Sequence, residues 1–190
     1  MEPRSAELEA RVRGSRWLLE VLEGVRESGL PDAWVGAGVL RDLVWDGLHG
    51  GFDPASVKDV DVAFFDPLDL RKERDASAEA ALFGLLPGVP WEAKNQAAVH
   101  LWYPRRFGVP YPPAGCTEEA VGRWPETATS VAVQLTPGRE LRICAPCGLA
   151  DQLDGVWRRN PRQVSVEESR ARLARHRVSE RWPRVRVVAP

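Results

Sequence analysis

The sequence predicts one α/β (α+β) domain built on a mixed sheet, with helices packed mainly on one face. Three observations carry this. Val60, Val62 and Phe64 recur with the period of two that marks the buried face of a strand. The chain then crosses from Phe65 to Trp91 through a helical segment. Later, two alternating stretches at residues 129–135 and 139–145 flank Thr136-Pro137-Gly138 and read as a hairpin. A crossover followed by a hairpin argues against a purely parallel, doubly wound sheet.

The elements follow in order. Residues 7–27 carry Leu8, Val12, Leu18, Leu19, Leu22 and Val25 at helical recurrence, and Gly29 and Pro31 end that helix. Trp34-Val35-Gly36 is a short strand, and Gly36-Ala37-Gly38 a small-residue turn. A helix then runs to about Leu48, stopped by Gly50-Gly51. The strand at residues 57–65 closes at Pro67. Residues 69–86 are a helix with Asp69 as N-cap and Pro87-Gly88 as exit. Residues 91–103 read as one long strand, and the proline-rich residues 104–115 as a loop. A short helix follows at 117–123, then the hairpin, a short helix within 148–157, a helix at 167–176 and a terminal strand around Val185-Arg186-Val187-Val188. Residues 1–160 are expected to form the domain. Residues 161–190, richer in arginine, form a C-terminal extension packing on it.

Composition narrows the function. At 190 residues, with 44% hydrophobic and 28% charged side chains, the chain suits one well-formed core rather than disorder. No apolar run approaches a membrane span and Met1-Glu2-Pro3-Arg4 opens no signal peptide, so a cytoplasmic protein is expected. Basic residues number 26 against 27 acidic, which gives no overall drive toward nucleic acid. Cys144-Ala145-Pro146-Cys147 has redox or zinc spacing. With Cys116 the only other cysteine and His49, His100 and His176 scattered, buried thiols are the better reading.

The chemistry lies in Lys58-Asp59-Val60-Asp61. If Val60 and Val62 are buried, Asp59 and Asp61 emerge together on the opposite face. Two carboxylates held that close repel unless a cation or proton lies between them. Mg²⁺, or Mn²⁺, takes oxygen ligands, commonly one or two carboxylates plus substrate phosphates. Gly36, Ala37 and Gly38 open a helix upstream, where small residues and free N–H groups suit a phosphate. Standing alone, an Asp-x-Asp pair is better read as a solvated strand edge; order and context tip the balance.

This order of turn, helix and Asp-x-Asp strand resembles the DNA polymerase beta superfamily of nucleotidyltransferases. Ala37-Gly38-Val39-Leu40-Arg41-Asp42 is similar to the Gly-Gly-x-Val-Arg-Asp turn of tRNA CCA-adding enzymes, with Ala37 standing where that pattern has glycine. Stretches 38–45, 59–66, 91–97, 123–129 and 145–149 together resemble a family of small bacterial nucleotidyltransferase-like proteins, across residues 34–161. The resemblance implies a metal-dependent transfer of a nucleoside monophosphate from a nucleoside triphosphate such as ATP to an unknown hydroxyl: a small molecule, an RNA end or a protein side chain. Asp59 and Asp61 would bridge two divalent ions and a third carboxylate on a neighbouring strand would complete the set.

Glu92 is the candidate third acid, with Glu126 and Glu140 as competitors. Period two places Glu92, Lys94, Gln96 and His100 on one face, so Lys94 would reach the triphosphate. Arg41 either clamps a phosphate or pairs with Asp42 or Asp46. Asn95 orders a loop, Asp66 and Asp69 serve turn and cap, and Trp102 and Tyr103 are kept as nucleobase contacts. The alternative is a catalytically inactive nucleotide-binding or regulatory module of the same fold. A third reading, RNA binding by the arginine-rich tail, is weakened by its interspersed Glu and Val residues.

Overall fold

The computed structural model describes residues 3–189. Two helices open the chain, α1 (Pro3–Gly14) and α2 (Arg16–Glu27), where the sequence predicts one. The break falls at Ser15, whose extended backbone lets its Oγ accept from the Leu18 N–H at 3.3 Å. A serine N-cap satisfies one of the amides left unpaired at a helix start. The hydrophobic recurrence ran through this cap without registering it.

β1 (Trp34–Gly36), α3 (Gly38–Gly47) and β2 (Val60–Phe64) follow, then α4 (Glu73–Leu85) and β3 (Trp91–Asn95). β2 and β3 pair in parallel through the α4 crossover, whereas β1 is antiparallel to β2. β4 (Ala132–Leu135) and β5 (Leu141–Cys144) form the predicted hairpin and complete a five-stranded mixed sheet in the order β3-β2-β1-β4-β5. Val35, Val60, Val62, Phe64, Ala93, Val133 and Leu135 face the main core with Leu18, Val21, Leu22 and Leu40 of the helices. The other face carries Trp34, Ala132 and Cys144 in a smaller cluster with Val121 and Trp124.

The expected strand at 91–103 is corrected: it ends at Asn95, and residues Val99–Phe107 are helix α5. Asn95 makes the turn. Its Oδ1 accepts from the Asp66 and Ala97 N–H groups, and its Nδ2 donates to the carbonyls of Asp66 and Asp69. A buried amide satisfied on all sides fixes the chain direction. Asp69 is likewise not the cap of α4; it accepts from the Arg71 backbone in a turn before the helix.

α6 (Thr117–Val121) lies over the second face, and α7 (Ala150–Leu153) gives way to β6 (Val156–Trp157). The C-terminal run forms α8 (Val166–His176), α9 (Val178–Arg181) and β7 (Arg186–Val187), the last pairing in parallel with β6. Trp182 stands edge-on to Trp45 with ring centroids 5.1 Å apart, and its Nε1–H donates to Asp46 at 2.6 Å. Arg181 joins Asp42 and Asp46. Among the described residues no helix is long and apolar enough to cross a membrane.

Candidate functional site

The site grows from one row across three strands. Gly36 on β1 is paired with Asp61 on β2, and Asp61 with Glu92 on β3. Residues directly paired across a sheet share a face, so Asp61 and Glu92 project side by side. Asp59 precedes β2 by one residue. A Cβ built on Gly38 would stand 3.7 Å from Asp59 Oδ1 and 3.9 Å from Asp61 Oδ2, so both carboxylates converge on the start of α3.

Electrostatics records the crowding. Burial, then the charges of Asp59 and Glu92, push the Asp61 carboxyl up to about 7, while the Gly38 N–H and Arg41 pull the other way. A carboxyl raised by burial and by neighbouring acids is one that a cation would relieve. The donor set is all oxygen, as Mg²⁺ and Mn²⁺ prefer. Among the described residues, no group of three or more His, Cys, Asp or Glu side chains is gathered tightly enough to hold a metal as it stands. The set is therefore the Asp59–Asp61 pair with Glu92 beside it.

The turn is built differently from the expectation. Gly36 is glycine because Trp124 lies on it: an added Cβ would meet the Val131 carbonyl oxygen at 2.6 Å and the indole at 2.7 Å. Ala37 takes φ 54° before α3, a strained region for a side-chain-bearing residue, and its N–H donates to the Val131 carbonyl. Ala37 and Gly38 both line the cavity.

That cavity, of about 380 Å³, is lined by the acids Asp59, Asp61 and Glu92 and by the basic side chains of Arg41, Arg172, Arg175 and His176. Arg41 is buried, with Nε and Nη2 donating to Asp42 Oδ1 at 2.8 and 2.7 Å and its guanidinium 4.9 Å from the Trp182 ring centre. Burial, Arg41 and Arg172 push the His176 imidazole down to about 4, which keeps it neutral. A larger cavity of about 720 Å³, shared at Arg41, Asp59, Arg175 and His176, opens toward Lys58 and Arg181.

Several expected residues lie elsewhere. Lys94 shares a face with Glu92 but reaches sideways to Asp75 and Glu79 of α4, at 3.6 and 3.9 Å, along the sheet edge. It is not among the residues lining the cavity. Two α4 acids attract it because they also accept the unpaired N–H groups of β3, at Asn95 and Ala93. Glu126 is fully buried against Arg172, and Glu140 is exposed in the hairpin turn, so neither stands with the Asp pair. His100, Trp102 and Tyr103 sit on α5 and do not line this cavity. What the sequence reading missed is that α8, the helix expected at 167–176, lines the cavity. Arg172, Arg175 and His176 lie at i, i+3 and i+4, one face of a helix, and that spacing was legible.

Comparisons agree with this architecture. An NMR structure described as revealing a CCA-adding enzyme head domain superposes with a TM-score of 0.79 and 28% identity, over 96% of this chain and 94% of that one. The Thermotoga maritima CCA-adding enzyme complexed with tRNA matches with a TM-score of 0.57 and 18% identity, over 97% of this chain and 42% of its own. A CCA-adding enzyme complexed with CTP gives 0.56 and 17%, over 97% and 43%. The chain thus spans less than half the length of these two enzymes. No curated protein matches it. A family described as Nucleotidyltransferase matches residues 23–187, nearly the whole sequence. The chain belongs to this nucleotidyltransferase family.

Proposed function

We propose that the protein is a metal-dependent nucleotidyltransferase, moving a nucleoside monophosphate from a nucleoside triphosphate to a hydroxyl acceptor. The observation that carries this reading is the convergence of Asp59 and Asp61 on Gly38, with Glu92 in register beside Asp61. Asp59 and Asp61 would hold Mg²⁺ or Mn²⁺, and Glu92 would join them on the acceptor side. A divalent ion there supplies neutralisation of the phosphates and activation of the attacking hydroxyl.

The chain's own residues do the rest. The start of α3 presents its partial positive charge beside Gly38, where phosphates would lie. The Ala37 N–H is taken by Val131 and that of Gly38 by the Asp61 carboxylate, so the anion would be held through the N–H groups that follow in α3. Arg41, Arg172 and Arg175, which line the same cavity, would orient the leaving phosphates. Trp124 also lines the cavity. A nucleotide-consuming site fits a cytoplasmic location.

CTP and ATP are bound by related CCA-adding enzymes, and tRNA by that of Thermotoga maritima. These nucleotides are the first to test, with an RNA end among the acceptor classes. A second reading, a nucleotide-binding module without turnover, is favoured by the loose third acid: the described residues hold no closed three-carboxylate cluster. Incubation with α-labelled ATP or CTP, Mg²⁺ and a cell extract separates the two. Label transferred by wild type but not by Glu92→Gln, with nucleotide binding retained in Glu92→Gln, supports the transferase. Binding without any transfer, in wild type as in the variant, leaves the non-catalytic module.

A further inference from the structure

Arg172 is held in an unusual way for a residue so close to three acids. Its Nε donates to Glu126 Oε1 at 2.5 Å and its Nη2 to Glu126 Oε2 at 3.0 Å. The Glu126 side chain is 1% exposed, whereas that of Arg172 is 21% exposed. Glu126 is itself anchored, accepting from the Thr129 hydroxyl at 3.0 Å. The two-point bond uses Nε and Nη2, and Arg172 lines the cavity together with Asp59, Asp61 and Glu92.

A two-point bond fixes the plane and direction of an arginine head. Removing one partner of a buried pair leaves an uncompensated charge, so the two residues stand or fall together. Burial opposes the Arg172 charge, but the Glu126 bond and the charges of Glu126, Glu168 and Asp61 outweigh it and hold the guanidinium above its ordinary range. Arg175 and His176 flank it on the same helix face. Of the two cations that the sequence offered for the phosphates, Lys94 is drawn to α4, whereas Arg41 lines the same cavity with its Nε and Nη2 given to Asp42.

We propose that Arg172, positioned by the buried Glu126, binds the phosphates of the incoming nucleoside triphosphate opposite the carboxylates, an inference that rests on the nucleotidyltransfer reading above. α8 is then a functional wall of the site, and Glu126 acts through Arg172 without touching substrate.

The probe is inorganic tripolyphosphate, titrated into the full-length chain with and without Mg²⁺. The test variant is the double substitution Arg172→Gln with Glu126→Gln. It replaces the ion pair by an amide pair of similar shape and leaves the net charge unchanged, so folding survives and a loss reports the guanidinium itself. The expected result is a loss of about tenfold or more, with no loss in Arg170→Gln, an exposed arginine of the same helix. Arg172→Lys keeps the charge but not the two-point bond, and should fall between. Wild-type affinity in the double variant, an equal loss in Arg170→Gln, or no binding of tripolyphosphate by wild type would overturn the proposal; wild-type affinity in Arg172→Lys would overturn the part given to Glu126. The underlying reading is judged separately by Asp59→Asn with Asp61→Asn. If Mg²⁺ has no effect on wild type and these substitutions change nothing, that reading falls while the Arg172 comparison in metal-free solution still holds.

Discussion

Trp124 lies so closely on Gly36 that no side chain fits between them: a Cβ at Gly36 would stand 2.7 Å from the indole. The same Cβ would meet the Val131 carbonyl oxygen at 2.6 Å, and backbone cannot swing aside as a flexible side chain can. Gly36→Ala is therefore expected to destabilise the fold by about 1–3 kcal/mol, the usual cost of overpacking. Thermal unfolding should show a midpoint lowered by several degrees, at roughly 2–4 °C per kcal/mol for a chain of this size. An unchanged midpoint would show that Trp124 and Val131 yield freely.

The C-terminal run is fastened by Trp182, buried against Trp45 and bonded to Asp46. Trp182→Ala should cost about 3–5 kcal/mol, as large aromatic deletions in cores do. Because α8 and α9 lie just before it, chemical denaturation of this variant should show the whole transition at lower denaturant. Loss of less than about 1 kcal/mol would mean that the tail is only loosely attached, since a surface contact is worth no more than that.

Cys144 is buried, and burial, followed by the charge of Glu118, pushes its thiol up to about 12 from 9.0. The thiolate is the reactive form, so Cys144 should resist thiol reagents at neutral pH while the exposed Cys116 reacts. The sign for stability follows. The fold holds the neutral thiol, so this contribution is intact below pH 9.0 and is lost as pH rises toward about 12. Alkylation followed by mass mapping reads this directly, and rapid labelling of Cys144 in the native protein would contradict it.

Much of the fold could be read from the residues, because period two and the turn chemistry were clean. Val60, Val62 and Phe64 did face the core, and Thr136-Pro137-Gly138 did turn a hairpin. Errors arose where one polar side chain redirects the chain. Ser15 caps a second helix inside an unbroken apolar pattern, and Asn95 ends a strand whose alternation continues on paper. The carboxylate pair was legible for a related reason: Asp61 lies on β2 and Asp59 one residue before it, so their spacing puts them together. The α8 lining was legible only in part: Arg172, Arg175 and His176 share a helix face, but no local periodicity reports that this face meets the carboxylates or that Arg172 is held by Glu126, 46 residues away. Lys94 shows the converse, since a shared strand face did not decide which acids its long side chain would find.

The central claim is that Asp59 and Asp61 take a divalent ion together with a nucleotide. Calorimetric titration of ATP into wild type and into the Asp59→Ala with Asp61→Ala variant, each with and without Mg²⁺, tests it most directly. Removing both carboxylates leaves the metal and phosphate charges without their partners, so the variant should lose at least about tenfold in affinity, or 1.4 kcal/mol. Wild type should also lose affinity when Mg²⁺ is withheld. Equal affinity of the two proteins in Mg²⁺ would contradict the account.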